Sequence, residues 1–134
     1  MTIEEKSMSF HKKGCNCCQS VLCALGDYTH LPEETAVRLG AGFGGGMQCG
    51  SVCGAVTGAM MALGCACLDG AASGAGKSLG AKLTRELQAE FSAEFGTLMC
   101  AEIRKKNGGA ICDRCITAAA AAAERIIQSQ TASV

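Results

Sequence analysis

Eleven of the 134 residues are cysteine, and this density constrains the chain more than any other feature. It is typical of two classes of protein: secreted domains held by disulfides, and intracellular proteins with a thiol or metal site. The cysteine count is odd, and hydrophobic residues make up 49% of the chain, enough for a core without cross-links. The first residues, MTIEEKS, lack the apolar segment of a signal peptide. We therefore expect a cytoplasmic protein whose cysteines carry redox or metal chemistry.

The charges and the longest apolar stretch argue against two kinds of partner. Lysine plus arginine and aspartate plus glutamate number 12 each, so the chain lacks the basic excess that nucleic acids and anionic membranes require. The apolar segment 52–68 contains three glycines and is at the lower limit of length for a membrane span. A buried core helix is the favoured interpretation of this segment.

The spacing of apolar residues predicts an all-α bundle, a single domain over residues 1–134 with about five to six helices. We expect these helices over residues 4–13, 15–25, 32–41, 50–63, 77–105 and 112–128. Gly50, Gly54 and Gly58 recur every four residues and would share one face of the central helix. Because each glycine costs a helix about 1 kcal/mol, such a stripe favours close contact with a neighbouring backbone or a cofactor. Gly50 and Gly54 are therefore candidate cofactor-contacting residues.

Cysteines lie near the ends of several predicted helices, and thiolate is both a nucleophile and a soft metal ligand. One group lies at the start of the second helix, and one pair, a helical turn apart, lies at the start of the central helix. A single cysteine comes late in the long helix, and a CxxC motif begins the last helix. This distribution suits a cluster held between helices. The candidate metal ligands are Cys17, Cys53, Cys100 and Cys115, with Cys18, Cys49 and Cys112 beside them.

Three other cysteines, Cys23, Cys65 and Cys67, lie in apolar runs and are interpreted as core residues. The spacing of the eleven matches neither a ferredoxin run nor a zinc ribbon. On the residues alone, three functions stay open: an iron–sulfur redox protein, a metal-free thiol–disulfide oxidoreductase that uses Cys112 and Cys115, and a zinc-holding structural protein. No general acid or base stands out, so an electron carrier with a redox partner protein is favoured over a dedicated catalyst.

Three segments resemble a known family: NCCQSVL from Asn16, FGGGM from Phe43, and CGAVTGAMMALG from Cys53. The chain is similar to the redox-active proteins named for their C, GCAxxG, C, C pattern, and to the module that precedes the haem segment of split-Soret cytochromes. The resemblance extends over roughly residues 8–125. The central order here is Cys-Gly-Ala rather than Gly-Cys-Ala, so the family name does not fit literally.

By position, the resemblance identifies Cys17, Cys53, Cys100 and Cys115 with the four family cysteines. It implies a helical fold and redox activity. The split-Soret relatives imply an iron–sulfur cluster and a homodimer.

Overall fold

The computed structural model describes residues 1–132, with side chains to residue 130, and most of this part of the chain is helical. The elements in chain order are α1 (Ile3–Lys12), α2 (Cys17–Ala24), α3 (Gly26–Thr29), α4 (Glu33–Gly40), the short π-helical turn Gly46–Gly50, α5 (Gly54–Cys67), α6 (Gly74–Phe95), α7 (Cys100–Asn107) and α8 (Ile111–Ala132). The all-α prediction is confirmed. The predicted count of five to six helices is wrong, since the described residues form nine helical elements.

The largest difference from the sequence prediction is a break in the helix expected over 77–105. Gly96 adopts a left-handed conformation, with φ of 81°, and ends α6. Met99 is extended, and α7 then begins at Cys100. Cys100 was predicted near the C-terminal end of a long helix, and it is instead the first residue of a new one.

A second difference from the sequence prediction lies after α2, where no helix was expected between residues 25 and 32. The backbone amides of Tyr28 and Thr29 donate to the carbonyl of Leu25, so the chain continues directly into the four-residue helix α3. His30 then stops α3 with a left-handed φ of 60°.

Helix α5 lies at the centre of the core and packs against α2, α6 and α8. A Cβ atom added to Gly58 would lie 2.6 Å from the carbonyl oxygen of Cys18, and one on Gly54 would lie 2.8 Å from that of Phe43. These two glycines therefore let α5 approach the backbone of α2 and that of Phe43, which lies between α4 and the Gly46–Gly50 turn. Gly50 lies outside α5, so the predicted stripe of three helical glycines is wrong at its first member.

The residues Gly45, Gly46, Met47 and Gln48 form a left-handed turn, with φ values from 58° to 65°. A left-handed conformation costs a non-glycine residue about 1–2 kcal/mol, so Met47 and Gln48 are held there by their surroundings. A Cβ atom on Gly46 would lie 2.5 Å from the carbonyl oxygen of Ser51 and 2.8 Å from the Cβ of Cys100. The turn thus brings bare backbone against Cys100.

The apolar segment 52–68 forms the buried helix α5, as predicted, and none of the helices within residues 1–132 is long and apolar enough to cross a membrane. Residues 1–132 contain no strand, although Val52 and Met99 form one antiparallel bridge.

Candidate functional site

Five cysteine side chains from distant parts of the chain line one small cavity. Its volume is about 10 Å³, which leaves room for one water molecule at most. The cavity is lined by Cys17, Cys53, Cys100, Cys112 and Cys115, together with Ile103, Arg104 and Ile111. Cys53, Cys100 and Cys115 are 5%, 8% and 2% exposed, so these three are almost free of contact with water, whereas Cys17 and Cys112 are half-buried.

Cys17 is positioned by a capping box at the start of α2. The side-chain oxygen of Asn16 accepts a hydrogen bond from the amide of Gln19 at 2.8 Å, and the Gln19 side chain accepts one from the amide of Asn16 at 2.8 Å. The side-chain amide groups of the same two residues also donate to carbonyls at the end of α4, that of Asn16 to Gly40 and that of Gln19 to Val37. The NCxQ sequence therefore fixes the helix start that carries Cys17.

Cys53 and Cys100 are held side by side by their own backbones. The amide of Cys53 donates to the carbonyl of Leu98 at 2.8 Å, and the amide of Cys100 donates to the carbonyl of Ser51 at 2.7 Å. Each residue then begins a helix, Cys53 as the N-cap of α5 and Cys100 as the first residue of α7.

The remaining two thiols come from the first two turns of α8. The chain reverses between α7 and α8 within three residues, and Gly108 takes a φ of 81° to allow it. This tight turn returns Cys112 and Cys115 to the end of the bundle that carries Cys100.

Four of the five thiols therefore lie at helix N-termini, those of α2, α5, α7 and α8, and the fifth, Cys115, lies one turn into α8. A helix N-terminus carries unpaired amides and about half a positive elementary charge, which favours thiolates and other anions. The sequence predicted helix ends for most of these cysteines, but it did not predict that four N-termini meet.

Two of the thiols shift each other's pKa in opposite directions. The neighbouring Cys115 thiol, and then the amides of Ala55 and Val56 at the start of α5, lower the pKa of Cys53 against the effect of burial. The Cys53 thiol, followed by burial, raises the pKa of Cys115. Cys53 is therefore the member of the pair that ionises first.

The other lining thiols differ in what surrounds them. Burial, and then the neighbouring sulfurs of Cys53 and Cys112, raise the pKa of Cys17 to about 12. Burial also raises the pKa of Cys100, which the guanidinium of Arg104 partly offsets. Each CxxC residue thus lies beside a cysteine of another helix, Cys112 beside Cys17 and Cys115 beside Cys53.

Two predicted ligands lie away from the cavity lining. Cys18 is completely buried between α2 and α5, where its thiol hydrogen-bonds to Thr57. Cys49 is exposed in the Gly46–Gly50 turn, where its thiol donates to the carbonyl of Gly46 at 3.5 Å. Their roles as ligands stay predictions.

The two predicted cofactor-contacting glycines pack against protein. A Cβ atom on Gly50 would lie 2.8 Å from the Cβ of Ala101, and one on Gly54 would lie 3.2 Å from the Cβ of Cys17. Gly54 therefore sets the distance between two cavity-lining segments, and Gly50 fits the Gly46–Gly50 turn against α7.

Among the three cysteines interpreted as core residues, Cys23 is buried, Cys67 is half-buried and Cys65 is exposed. The interpretation is therefore wrong for Cys65. It lies in the last turn of α5, at the opposite end from the cavity.

The donor set of the cavity is purely thiol, which suits iron–sulfur clusters, zinc and copper(I). Within the described residues, however, no three His, Cys, Asp or Glu side chains are arranged to hold a single metal ion. The chemistry of the donors fits a thiolate-bound group, and the spacing does not provide a preformed single-ion site.

A comparison with protein-family models matches residues 15–126 to the family described as "Putative redox-active protein (C_GCAxxG_C_C)". No curated protein and no solved structure matched the chain. The matched range contains all five cavity-lining cysteines and the four helix starts that carry them.

Proposed function

The chain belongs to the C_GCAxxG_C_C family of redox-active proteins, and we propose that its converged cysteines hold an iron–sulfur cluster for electron transfer or redox sensing. The observation that carries this proposal is the meeting of five thiols, from four helix starts, at one cavity. Buried cysteines that serve only as core residues have no reason to gather at helix N-termini.

The family description favours iron over zinc. Thiolate sites bind both metals, but zinc has no redox chemistry of its own, whereas iron–sulfur clusters transfer electrons. When bound, such a cluster supplies one-electron redox chemistry at the position where the thiols meet. By their match to the family pattern, Cys17, Cys53, Cys100 and Cys115 would hold it, with Cys112 as a fifth thiol at the same cavity.

The surrounding protein favours the charge that four thiolates would bring together. The cysteines lie at or near the N-termini of α2, α5, α7 and α8, whose partial positive charge offsets part of the repulsion between thiolates. The amides of Ala55 and Val56 at the start of α5 help to lower the pKa of Cys53. Backbone amides close to thiolate sulfur help to set the reduction potential of iron–sulfur proteins.

Binding also requires the thiols to move apart. A cavity of about 10 Å³ cannot contain a cluster, so the thiols would have to separate to hold one. Uptake would therefore shift the helix starts and stabilise the fold, since binding to the native state alone adds to its stability.

The proposal is tested by purifying the protein without oxygen and measuring iron and acid-labile sulfide. We expect brown protein with about one cluster per chain. Protein that stays colourless after anaerobic reconstitution with iron and sulfide would overturn the proposal. Zinc without iron would support a structural zinc site, and a reversible disulfide without metal would support a thiol–disulfide oxidoreductase.

The partner follows from the same proposal. An electron carrier needs a redox partner protein, and that partner, the homodimer and the cytoplasmic location stay predictions. Analytical ultracentrifugation of the cluster-loaded protein would test the dimer.

A further inference from the structure

Arg104 is the only charged residue that lines the cysteine cavity within the described part of the chain. It lies four residues after Cys100 on α7, so the two side chains share one face of the helix. Every other residue of the lining is cysteine or isoleucine. Arg104 is itself exposed, so a cation lies at the solvent edge of a cavity whose other lining residues are cysteine and isoleucine.

Arg104 differs from the other arginines of the molecule in its position. Arg38, Arg114 and Arg125 each form an ion pair with a glutamate. Across the described residues neither Arg85 nor Arg104 forms an ion pair with a carboxylate, and of these two only Arg104 lines the cysteine cavity. The charge beside the thiols is therefore not neutralised by a carboxylate.

The dipole of α7 explains the positions of Lys105 and Lys106, but it does not explain why Arg104 lines the cavity. Arg104, Lys105 and Lys106 lie in the last turn of α7, where cations offset the negative end of the helix dipole. That role needs no contact with a thiol, and neither Lys105 nor Lys106 lines the cavity. The position of Arg104 on the face that carries Cys100 therefore needs a second reason.

We propose that Arg104 is a positioning residue for the redox centre, and that its positive charge beside Cys100 raises the reduction potential of the group held by the cysteines. This inference rests on the proposed iron–sulfur function. Reduction adds one electron and no atoms, so the centre becomes more negative by one charge. A fixed cation nearby stabilises the reduced form more than the oxidised form.

The test is the midpoint potential of anaerobically purified, cluster-loaded protein, titrated with dithionite as the electron donor in the presence of redox mediators. Three variants are compared with the wild type: Arg104→Gln, Arg104→Lys and Lys105→Gln. Lys105→Gln is the matched control, because it removes the same charge from the next residue of α7 without touching the cavity.

We expect Arg104→Gln to reduce the equilibrium constant for reduction by roughly tenfold, which is 59 mV for one electron. Arg104→Lys keeps the charge and should restore most of this loss. Lys105→Gln should shift the midpoint potential by less than a third as much, since Lys105 does not line the cavity and solvent screens its charge. Equal shifts in Arg104→Gln and Lys105→Gln, or no shift in either, would overturn the proposal.

The iron and sulfide contents of the same samples separate this inference from the proposed function. If the wild-type protein binds no cluster, the iron–sulfur proposal fails, and the role of Arg104 that rests on it fails with it. If the wild type and Arg104→Gln bind equal amounts of cluster at the same midpoint potential, the iron–sulfur proposal stands and only the role of Arg104 is overturned.

Discussion

The two ends of α5 are both rich in cysteine, and they differ in almost every other respect. At the N-terminal end Cys53 is 5% exposed, caps the helix, and meets thiols from three further helix starts. At the C-terminal end Cys65 is exposed and Cys67 is half-buried, close to Leu68 and Leu79. No other cysteine lines the shallow surface pocket beside Cys67.

The difference shows that helix polarity, and not cysteine density, distinguishes the candidate site. Amides at the start of α5 help to lower the pKa of Cys53, whereas burial raises the pKa of Cys67 with no compensating donor. The carbonyls at a helix C-terminus repel a thiolate. One end of α5 is therefore suited to hold anionic sulfur, and the other is not.

The largest expected effect comes from removing a thiol at each end. Cys53→Ser should lower the iron and sulfide bound per chain by at least about tenfold, because it removes a ligand from the centre of the cavity. Cys67→Ser is the matched control on the same helix and should leave both contents unchanged. Iron and sulfide assays on anaerobic protein give the comparison, and equal losses in the two variants would contradict the assigned site.

A second substitution pair tests how the N-terminal half of α5 is positioned. A Cβ atom on Gly58 would lie 2.6 Å from the carbonyl of Cys18, so Gly58→Ala must separate α5 from α2, at a cost of about 1–3 kcal/mol. Gly64 has no such neighbour within 4 Å, so Gly64→Ala should gain about 1 kcal/mol from helix propensity. Denaturant midpoints measured with urea would show the opposite signs. Destabilisation of similar size in both variants would mean that the close packing of α2 on α5 is not what requires Gly58.

The pH dependence of the reduced, metal-free protein tests the thiols outside the cavity. Burial, and then the neighbouring Cys15 and Glu33, raise the pKa of Cys23 from 9.0 to about 12. The unfolded chain therefore loses this proton first, so stability is unaffected below pH 9 and falls as the pH rises from 9 to about 12.

The loss from this one group is at most about 1.4 kcal/mol per pH unit. Cys23→Ala should reduce the slope of the free energy of unfolding against pH in that range, as urea titrations at several pH values would show. A slope identical to that of the wild type would contradict the burial of a neutral thiol at this position.

The smallest effect is expected at the fifth thiol of the cavity. Four thiolates complete a cluster, so Cys112→Ser should keep iron and sulfide within about a factor of two of the wild type. Cys115→Ser is the comparison from the same CxxC motif and should lose both. If instead Cys112→Ser loses the cluster and Cys115→Ser retains it, the ligand from α8 has been assigned to the wrong thiol.

Much of this site was predictable from the sequence, because composition and local patterns determine it. The periodic apolar residues predicted the helices, and the cysteines near helix ends included all five that line the cavity. The resemblance to the family identified four of those five. The NCxQ segment also contains its own capping box, which is a local signal that the sequence carries openly.

The rest depended on tertiary structure. One glycine, Gly96, breaks a helix that the apolar spacing alone would continue, and the break turns Cys100 from a helix end into a helix start. The left-handed turn at Met47 and Gln48 opposes their conformational preference, so only packing against α7 reveals it. Arg104 was missed, although its spacing of four residues from Cys100 was a usable signal.

Native mass spectrometry of the anaerobically purified protein is the most direct test of an iron–sulfur cluster on these cysteines, because it measures the mass bound to the chain. We expect a chain whose added mass equals that of iron and sulfide together. This mass should be lost when four cysteines are all changed to serine: Cys17, Cys53, Cys100 and Cys115. A bare chain, a chain lighter by the two hydrogens of a disulfide, or a chain carrying zinc alone would contradict the proposed cluster.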